Sequence, residues 1–191
     1  MSKSDDLIIF ATGNLHKYRE VSSILSEYDI SVQRADTKRL EIQSDSIEEI
    51  AKTSAKQVAS LHTFGTLVED SGLFIDSLRG FPGPYSSYVY QTLGNQGILE
   101  LMRETEPRTA SFKSVLAYAK GNDSPVLFSG IAPGRISELS KGTQGFGFDP
   151  IFMPDEGEGK TFGQMGLQEK NRLSHRSRSV RKFATWFLSE K

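Results

Sequence analysis

Apolar residues along this chain switch repeatedly between two spacings. "LIIFA" (Leu7 to Ala11) is short, β-branched and fully apolar, the pattern of a strand buried on both faces. Directly after it, Leu15, Tyr18, Val21, Ile24, Leu25 and Tyr28 recur at helical spacing and predict an amphipathic helix. "ISVQRA" (Ile30 to Ala35) predicts a second strand, and the β-α-β order predicts parallel pairing through a crossover helix. A second helix is signalled by Ser46 and Glu49 at capping-box spacing, with Ile47, Ile50, Ala51, Ser54, Val58 and Leu61 as its face. "TLVED" (Thr66 to Asp70) reads as a strand ending in acid, after which "SGLFIDSL" resumes the extended pattern.

"FPGPYSSY" (Phe81 to Tyr88) is turn-rich with aromatics, and Gly97 to Glu104 reads as helix. Thr109 to Lys120 and Pro125 to Ser137 alternate in the manner of antiparallel neighbours around the loop "KGNDSP". Glycine is dense from Lys141 to Gly166, which predicts a long loop region. Val180, Phe183, Ala184, Phe187 and Leu188 share one face of a final helix, with Ser177 or Ser179 as its cap. With no internal repeat, linker or low-complexity segment, residues 1–191 read as a single mixed α/β domain.

Composition narrows the function classes. At 191 residues, 37% hydrophobic and 25% charged, the chain reads as an ordinary globular protein with a substantial core. No apolar run approaches the roughly 18 residues of a membrane helix, so no membrane partner is expected. "MSKSDD" leads into five apolar residues, too few for a signal-peptide core. The absence of cysteine excludes disulfides and thiolate metal sites and fits a reducing cytoplasm. A net charge of −1 argues against a general polyanion binder, so nucleic acid is not expected as a partner.

Four stretches carry candidate chemistry. In "ATGNLHKYREV" a buried strand hands over to a helix, where backbone N–H groups can hold an anion. Gly13 permits close approach and Lys17 lies in the first turn. Equally, Thr12 or Asn14 can simply cap the helix. Glu69 and Asp70 close a predicted strand, where ligands of α/β sheets bind, and Asp70 beside a Ser71-Gly72 turn is the better candidate. Glu41 in "LEIQSD" adds a second hard oxygen donor of the kind that suits Mg²⁺, although alone it reads as an acidic turn. From Lys170 to Lys182 the chain carries six Lys or Arg residues, no acid, and His175. That run is either a solvated helix entrance or a source of donors to a phosphate or base carbonyl. In "GFGFDP" Phe146 and Phe148 either stack a nucleobase or anchor the loop, and Pro150 holds Asp149 extended. "GKT" (Gly159 to Thr161) lacks the first glycine and the strand of a phosphate-binding loop, and "GFGFD" lacks the third glycine of a dinucleotide fingerprint. Phosphates, a metal and an aromatic ring together describe a nucleoside triphosphate.

In their order, "TGNLHK", "EIQ", "EDSGL", "FPGPYS", "GFGFDPIF" and "EKNRLSHR" resemble the inosine triphosphate pyrophosphatase family over essentially the whole chain. The resemblance implies an α/β fold, an elongated mixed β-sheet flanked by helices, with two lobes and a central nucleotide-binding cleft, usually as a homodimer. It implies that Thr12, Gly13, Asn14, Leu15, His16 and Lys17 hold the phosphates, with no individual role for His16. It places Mg²⁺ (or Mn²⁺) on Glu41 and Asp70, makes Asp70 the base that aims water, and puts Ser71 against substrate. Phe146, Gly147, Phe148, Asp149, Lys170, His175 and Arg176 would surround the nucleotide and its base. Water would then attack the α-phosphorus of ITP, dITP or XTP and release pyrophosphate. Donors facing a purine 6-oxo group would reject adenine, whose amino group leaves them unsatisfied. Two alternatives are a pyrophosphatase for pyrimidine or modified triphosphates, and a nucleic-acid or nucleotide-binding module built on the basic run.

Overall fold

In the computed structural model, which describes residues 7–37 and 42–190, the first apolar run forms strand β1 (Ile8–Ala11). Helix α1 (Leu15–Ser26) follows, then β2 (Val32–Ala35), and β1 pairs with β2 in parallel as predicted, Ile8 opposite Val32. The helix stops before Tyr28 because Asp29 turns left-handed at φ 56° and the Ile30 N–H bonds back to the Leu25 carbonyl. Helix α2 (Ile47–Ala59) starts at its predicted cap, with Ser46 accepting from the Glu49 N–H at 3.2 Å. Only that half of the capping box forms; the Glu49 carboxylate accepts from Ser44 instead, at 2.7 Å.

Strand β3 (Gly65–Ile75) corrects the expectation of a strand ending at Asp70 and a turn at Ser71-Gly72. It runs unbroken through both residues, pairing in parallel with β1 at one end and antiparallel with the short β4 (Pro82–Gly83) at the other. Gly72 serves that second pairing rather than a turn. A Cβ on it would sit 2.2 Å from the Gly83 carbonyl oxygen, so only glycine admits the neighbouring strand. Ser86 locks the junction, donating to the Gly83 carbonyl (2.7 Å) and accepting from the Leu73 N–H (2.8 Å).

Helices α3 (Ser86–Thr92) and α4 (Gly94–Leu101) follow, and α4 begins three residues before the predicted start. Strands β5 (Thr109–Lys120) and β6 (Val126–Ile136) match their predicted spans within a residue or so and are neighbours in the sheet. In β6, Phe128, Ala132 and Ile136 are buried while Ser129, Ile131 and Arg135 are exposed, the period-2 pattern that marked it in the sequence. Strand β7 (Phe152–Pro154) adds to β6, so the described strands form one seven-stranded mixed sheet in the order β2-β1-β3-β5-β6-β7, with β4 on β3.

The glycine-dense stretch is not irregular throughout. It contains β7 and two 3-10 turns, Asp149–Ile151 and Phe162–Gln164. Thr161 of the rejected "GKT" caps the second turn and donates to the Lys141 carbonyl at 2.7 Å. Helices α5 (Leu167–Leu173) and α6 (His175–Ser189) end the fold. The final helix therefore begins ahead of Ser177 and Ser179, which are buried inside it rather than capping it.

Contacts divide the chain into two compact units. The first holds the described residues up to Asp70, Ser114–Ser129 and the segment from Arg176 on; its core joins Ile8, Phe10, Val21, Ile24, Leu67, Phe128, Val180 and Phe183. The second holds Ser71–Lys113 and Gly130–His175, around Leu73, Ile75, Ile98, Phe112, Phe152 and Phe162. Gly72→Ala is expected to force β4 off β3 and cost about 2 kcal/mol or more, the scale of overpacking a tight contact. Urea denaturation measures this, and wild-type stability in the variant would contradict the role given to Gly72.

Candidate active site

At the end of β1 the chain turns into α1 through residues that satisfy one another. The Thr12 N–H donates to the Ala35 carbonyl at 3.0 Å, and Thr12 Oγ1 accepts from the Asn14 N–H at 3.1 Å. Asn14, extended at φ −91° and ψ 109°, accepts from the N–H groups of His16 (2.9 Å) and Lys17 (3.2 Å). The capping reading of this junction is realised, by Asn14. Gly13 is exposed, and a Cβ on it would lie 3.2 Å from Asp36 Oδ1. Leu15 and His16 are exposed as well.

Lys17 points into a cluster of buried charges. Its Nζ lies 2.8 Å from Glu69 Oε2, a carboxylate with no exposed side-chain surface. Glu69 Oε1 accepts from Ser114 Oγ at 2.8 Å and from the Arg176 guanidinium at 3.1 Å. Arg176 also donates to Glu20 Oε2 at 2.5 Å, and its own carbonyl accepts from Ser179 Oγ at 2.9 Å. Burial alone would push the Glu69 carboxyl up, but Arg176 and then Lys17 outweigh it and hold the group well below the usual carboxylate range. Glu69 is therefore an anion at neutral pH, clasped between two cations.

Asp70, its neighbour on β3, is half-buried, as is Ser71. Alternation along the strand separates the two acids: Glu69 shares the face of core residue Leu67, and Asp70 takes the other. Glu41 lies outside the described residues.

The second unit gathers a different set. Asp149 and Lys170 are each about 2% exposed, with Lys170 Nζ 2.6 Å from Asp149 Oδ2. The same oxygen accepts from the Phe146 N–H at 2.7 Å. These two bonds draw Asp149 into the start of a 3-10 turn, which corrects the expectation that Pro150 holds it extended. Gly145 passes so close that a Cβ there would meet Asp149 Oδ2 at 2.1 Å, at a φ of 72°. Lys170 Nζ also lies 4.9 Å from the centroid of the half-buried Phe146 ring and 5.6 Å from that of Phe162. Phe148 takes the anchoring role, buried edge-on against Tyr90, while Asn95 donates to the Gly147 carbonyl at 3.2 Å. His175, about 2% exposed, stacks on Phe112 at 4.6 Å between ring centroids and 12° between planes.

The basic run is thus no solvated helix entrance. Lys170, His175 and Arg176 are buried, Arg181 pairs with Glu27 at 2.6 Å, and Lys182 donates to the Ser129 carbonyl. Sequence reasoning missed Glu20, Ser114 and Phe112, and passed over Glu69 in favour of Asp70. Two carried a readable signal: Glu20 is an acid on the apolar stripe of α1 beside Val21 and Ile24, and Glu69 is two residues from the core position Leu67.

A mixed α/β sheet with polar networks of this kind places the chain among globular proteins with buried charged sites. The model of the Ham1 family matches residues 8–186. The chain is 49% identical over 180 residues to the dITP/XTP pyrophosphatase of Methanopyrus kandleri, covering 94% of this chain and 95% of that protein. It is 46% identical over 184 residues to the dITP/XTP pyrophosphatase of Ignicoccus hospitalis, covering 96% and 97%. A solved HAM1 protein from Coxiella burnetii superposes with a TM-score of 0.84 at 28% identity, covering 97% of this chain and 99% of that one. This chain belongs to the Ham1 family.

Asp149→Asn is expected to leave the Lys170 ammonium without its carboxylate and to cost roughly 3 kcal/mol of stability. Chemical denaturation reads this out; a loss below about 1 kcal/mol would contradict the ion pair's structural weight.

Proposed function

We propose that this protein hydrolyses the α–β phosphoanhydride of deaminated purine nucleoside triphosphates, ITP, dITP and XTP, to the monophosphate and pyrophosphate. The observation that carries the reading is the near full-length similarity to proteins named dITP/XTP pyrophosphatases. The buried charge clusters support it: Lys17, Lys170 and Arg176 are each held by a carboxylate before substrate arrives.

Lys17 is the residue we assign to the triphosphate, at the head of α1 where the loop Thr12 to Lys17 comes closest to an anion site. Asp70 orients or deprotonates the attacking water, and Ser71 contacts substrate beside it. Glu41 and Asp70 are oxygen donors that suit Mg²⁺, with Mn²⁺ as a substitute. The described residues contain no group of three or more His, Asp or Glu placed to hold a metal. Mg²⁺ needs none, because it keeps waters and takes the rest of its shell from substrate phosphates. When bound, the ion spreads the charge that develops on departing pyrophosphate.

Specificity in this reading belongs to Phe146, Gly147, Phe148 and Asp149 with Lys170, His175 and Arg176. A purine 6-oxo oxygen competes as an acceptor for the Lys170 donors that Asp149 now engages. The amino group of adenine offers no acceptor and leaves a buried ammonium poorly served. The same reading has the enzyme working as a cytoplasmic homodimer; the exposed side chains of Tyr88, Tyr90 and Leu93 on and beside α3 are the apolar surface that supports it.

Anion-exchange analysis of products tests the whole reading. ITP and XTP should give monophosphate and pyrophosphate only with Mg²⁺, while ATP, GTP, dUTP and dTTP remain nearly intact. Diphosphate plus orthophosphate would move attack to the γ-phosphorus and overturn the mechanism. Asp70→Asn should fold normally and lose about 100-fold or more in kcat, so near wild-type turnover would remove its assigned role. Lys17→Ala should depress kcat/KM severely for every triphosphate alike, and an unchanged value would take Lys17 out of the phosphate site.

A further inference from the structure

Glu69 has no place in the chemistry above, yet it is more completely enclosed than Asp70 or Asp149, which do. Its two oxygens are differently held. Oε1 is fixed by Ser114 at 2.8 Å and Arg176 at 3.1 Å, both among buried groups. Oε2 faces Lys17 at 2.8 Å, whose side chain is 16% exposed and sits on a flexible four-carbon stem. The carboxylate is therefore the stationary partner of this pair and the ammonium the movable one.

We infer that Glu69 is an internal stand-in for phosphate: it holds Lys17 when the site is empty and competes for it with the pyrophosphate product, speeding that product's release. This rests on the reading of Lys17 as a phosphate ligand. Two anions then share one ammonium. When triphosphate takes Lys17, Glu69 keeps its bonds to Arg176 and Ser114 at Oε1, and Arg176 also serves Glu20 at 2.5 Å. When the anhydride is cut, the carboxylate waiting beside Lys17 lowers the affinity for departing pyrophosphate. Such a group weakens substrate and product binding together and is retained because bound product blocks the next cycle. Glu69 touches no reacting atom in this scheme, so it is a positioning residue.

Titration calorimetry of the full chain with pyrophosphate and Mg²⁺, beside steady-state turnover of ITP, tests the inference. Glu69→Gln should bind pyrophosphate at least five-fold more tightly than wild type and show a lower KM together with a lower kcat. Introducing Lys17→Met into Glu69→Gln should abolish the tightening, because the effect runs through that ammonium. Should Glu69→Gln fail to fold, Glu69→Asp decides, since it keeps the buried charge near Arg176 and withdraws it from Lys17; it should move pyrophosphate affinity in the same direction. A purely structural role predicts lost activity with unchanged or weaker pyrophosphate binding. That result, with Lys17→Met still weakening binding, would overturn the inference and leave the phosphate role of Lys17 standing. Wild-type protein that neither binds pyrophosphate nor hydrolyses ITP would overturn both.

Discussion

A carboxylate that loses contact with water must gain cations or give up its charge, and the first unit is organised around one that keeps it. Glu69 is reached by Lys17 from α1, Arg176 from α6 and Ser114 from β5. Glu20, one turn beyond Lys17, takes the other end of the Arg176 guanidinium. Removing Arg176 leaves two buried carboxylates without their shared cation, which is far costlier than the whole set is stabilising. The network therefore constrains where α1 and α6 begin relative to β3 more strictly than the apolar packing of Phe10, Val21 and Phe183 would alone.

The second unit solves a similar problem on a smaller scale. One buried pair, Asp149 with Lys170, holds the glycine-rich loop at Phe146 and the short helix α5 together. Aromatic rings complete the surroundings: Phe146 and Phe162 lie beside the ammonium, and Phe112 supports both Phe162 and His175. Rings with few rotamers, fixed by neighbours, give polar groups a defined direction without adding charge. Gly145 is part of the same device, because only a residue without Cβ lets the backbone pass so close to the Asp149 carboxylate.

In both units the residues that shape a loop also position the charged side chains beside it. Asn14 caps α1, and the cap is what fixes the helix turn from which Lys17 reaches Glu69. Phe148 anchors its loop against Tyr90, and the anchored loop is the one whose N–H engages Asp149.

Periodicity by itself determined much of the fold. The parallel β1-α1-β2 unit, the cap at Ser46, the strands β5 and β6 and the apolar face of α6 all follow from local spacing, because backbone hydrogen bonds repeat along the chain. The motif order likewise identified the family, and its residues Lys17, Asp149, Lys170 and Arg176 fall in buried charged clusters. Tertiary structure decided what spacing cannot express. Whether β3 stops at Asp70 or runs on depends on β4 approaching Gly72 through Gly83, eleven residues further along the chain. Whether a basic run is solvated depends on acids 156 and 107 positions away, Glu20 and Glu69 for Arg176. Pairings over such separations leave no local pattern, since each side chain's environment is set by distant segments that the fold brings to it.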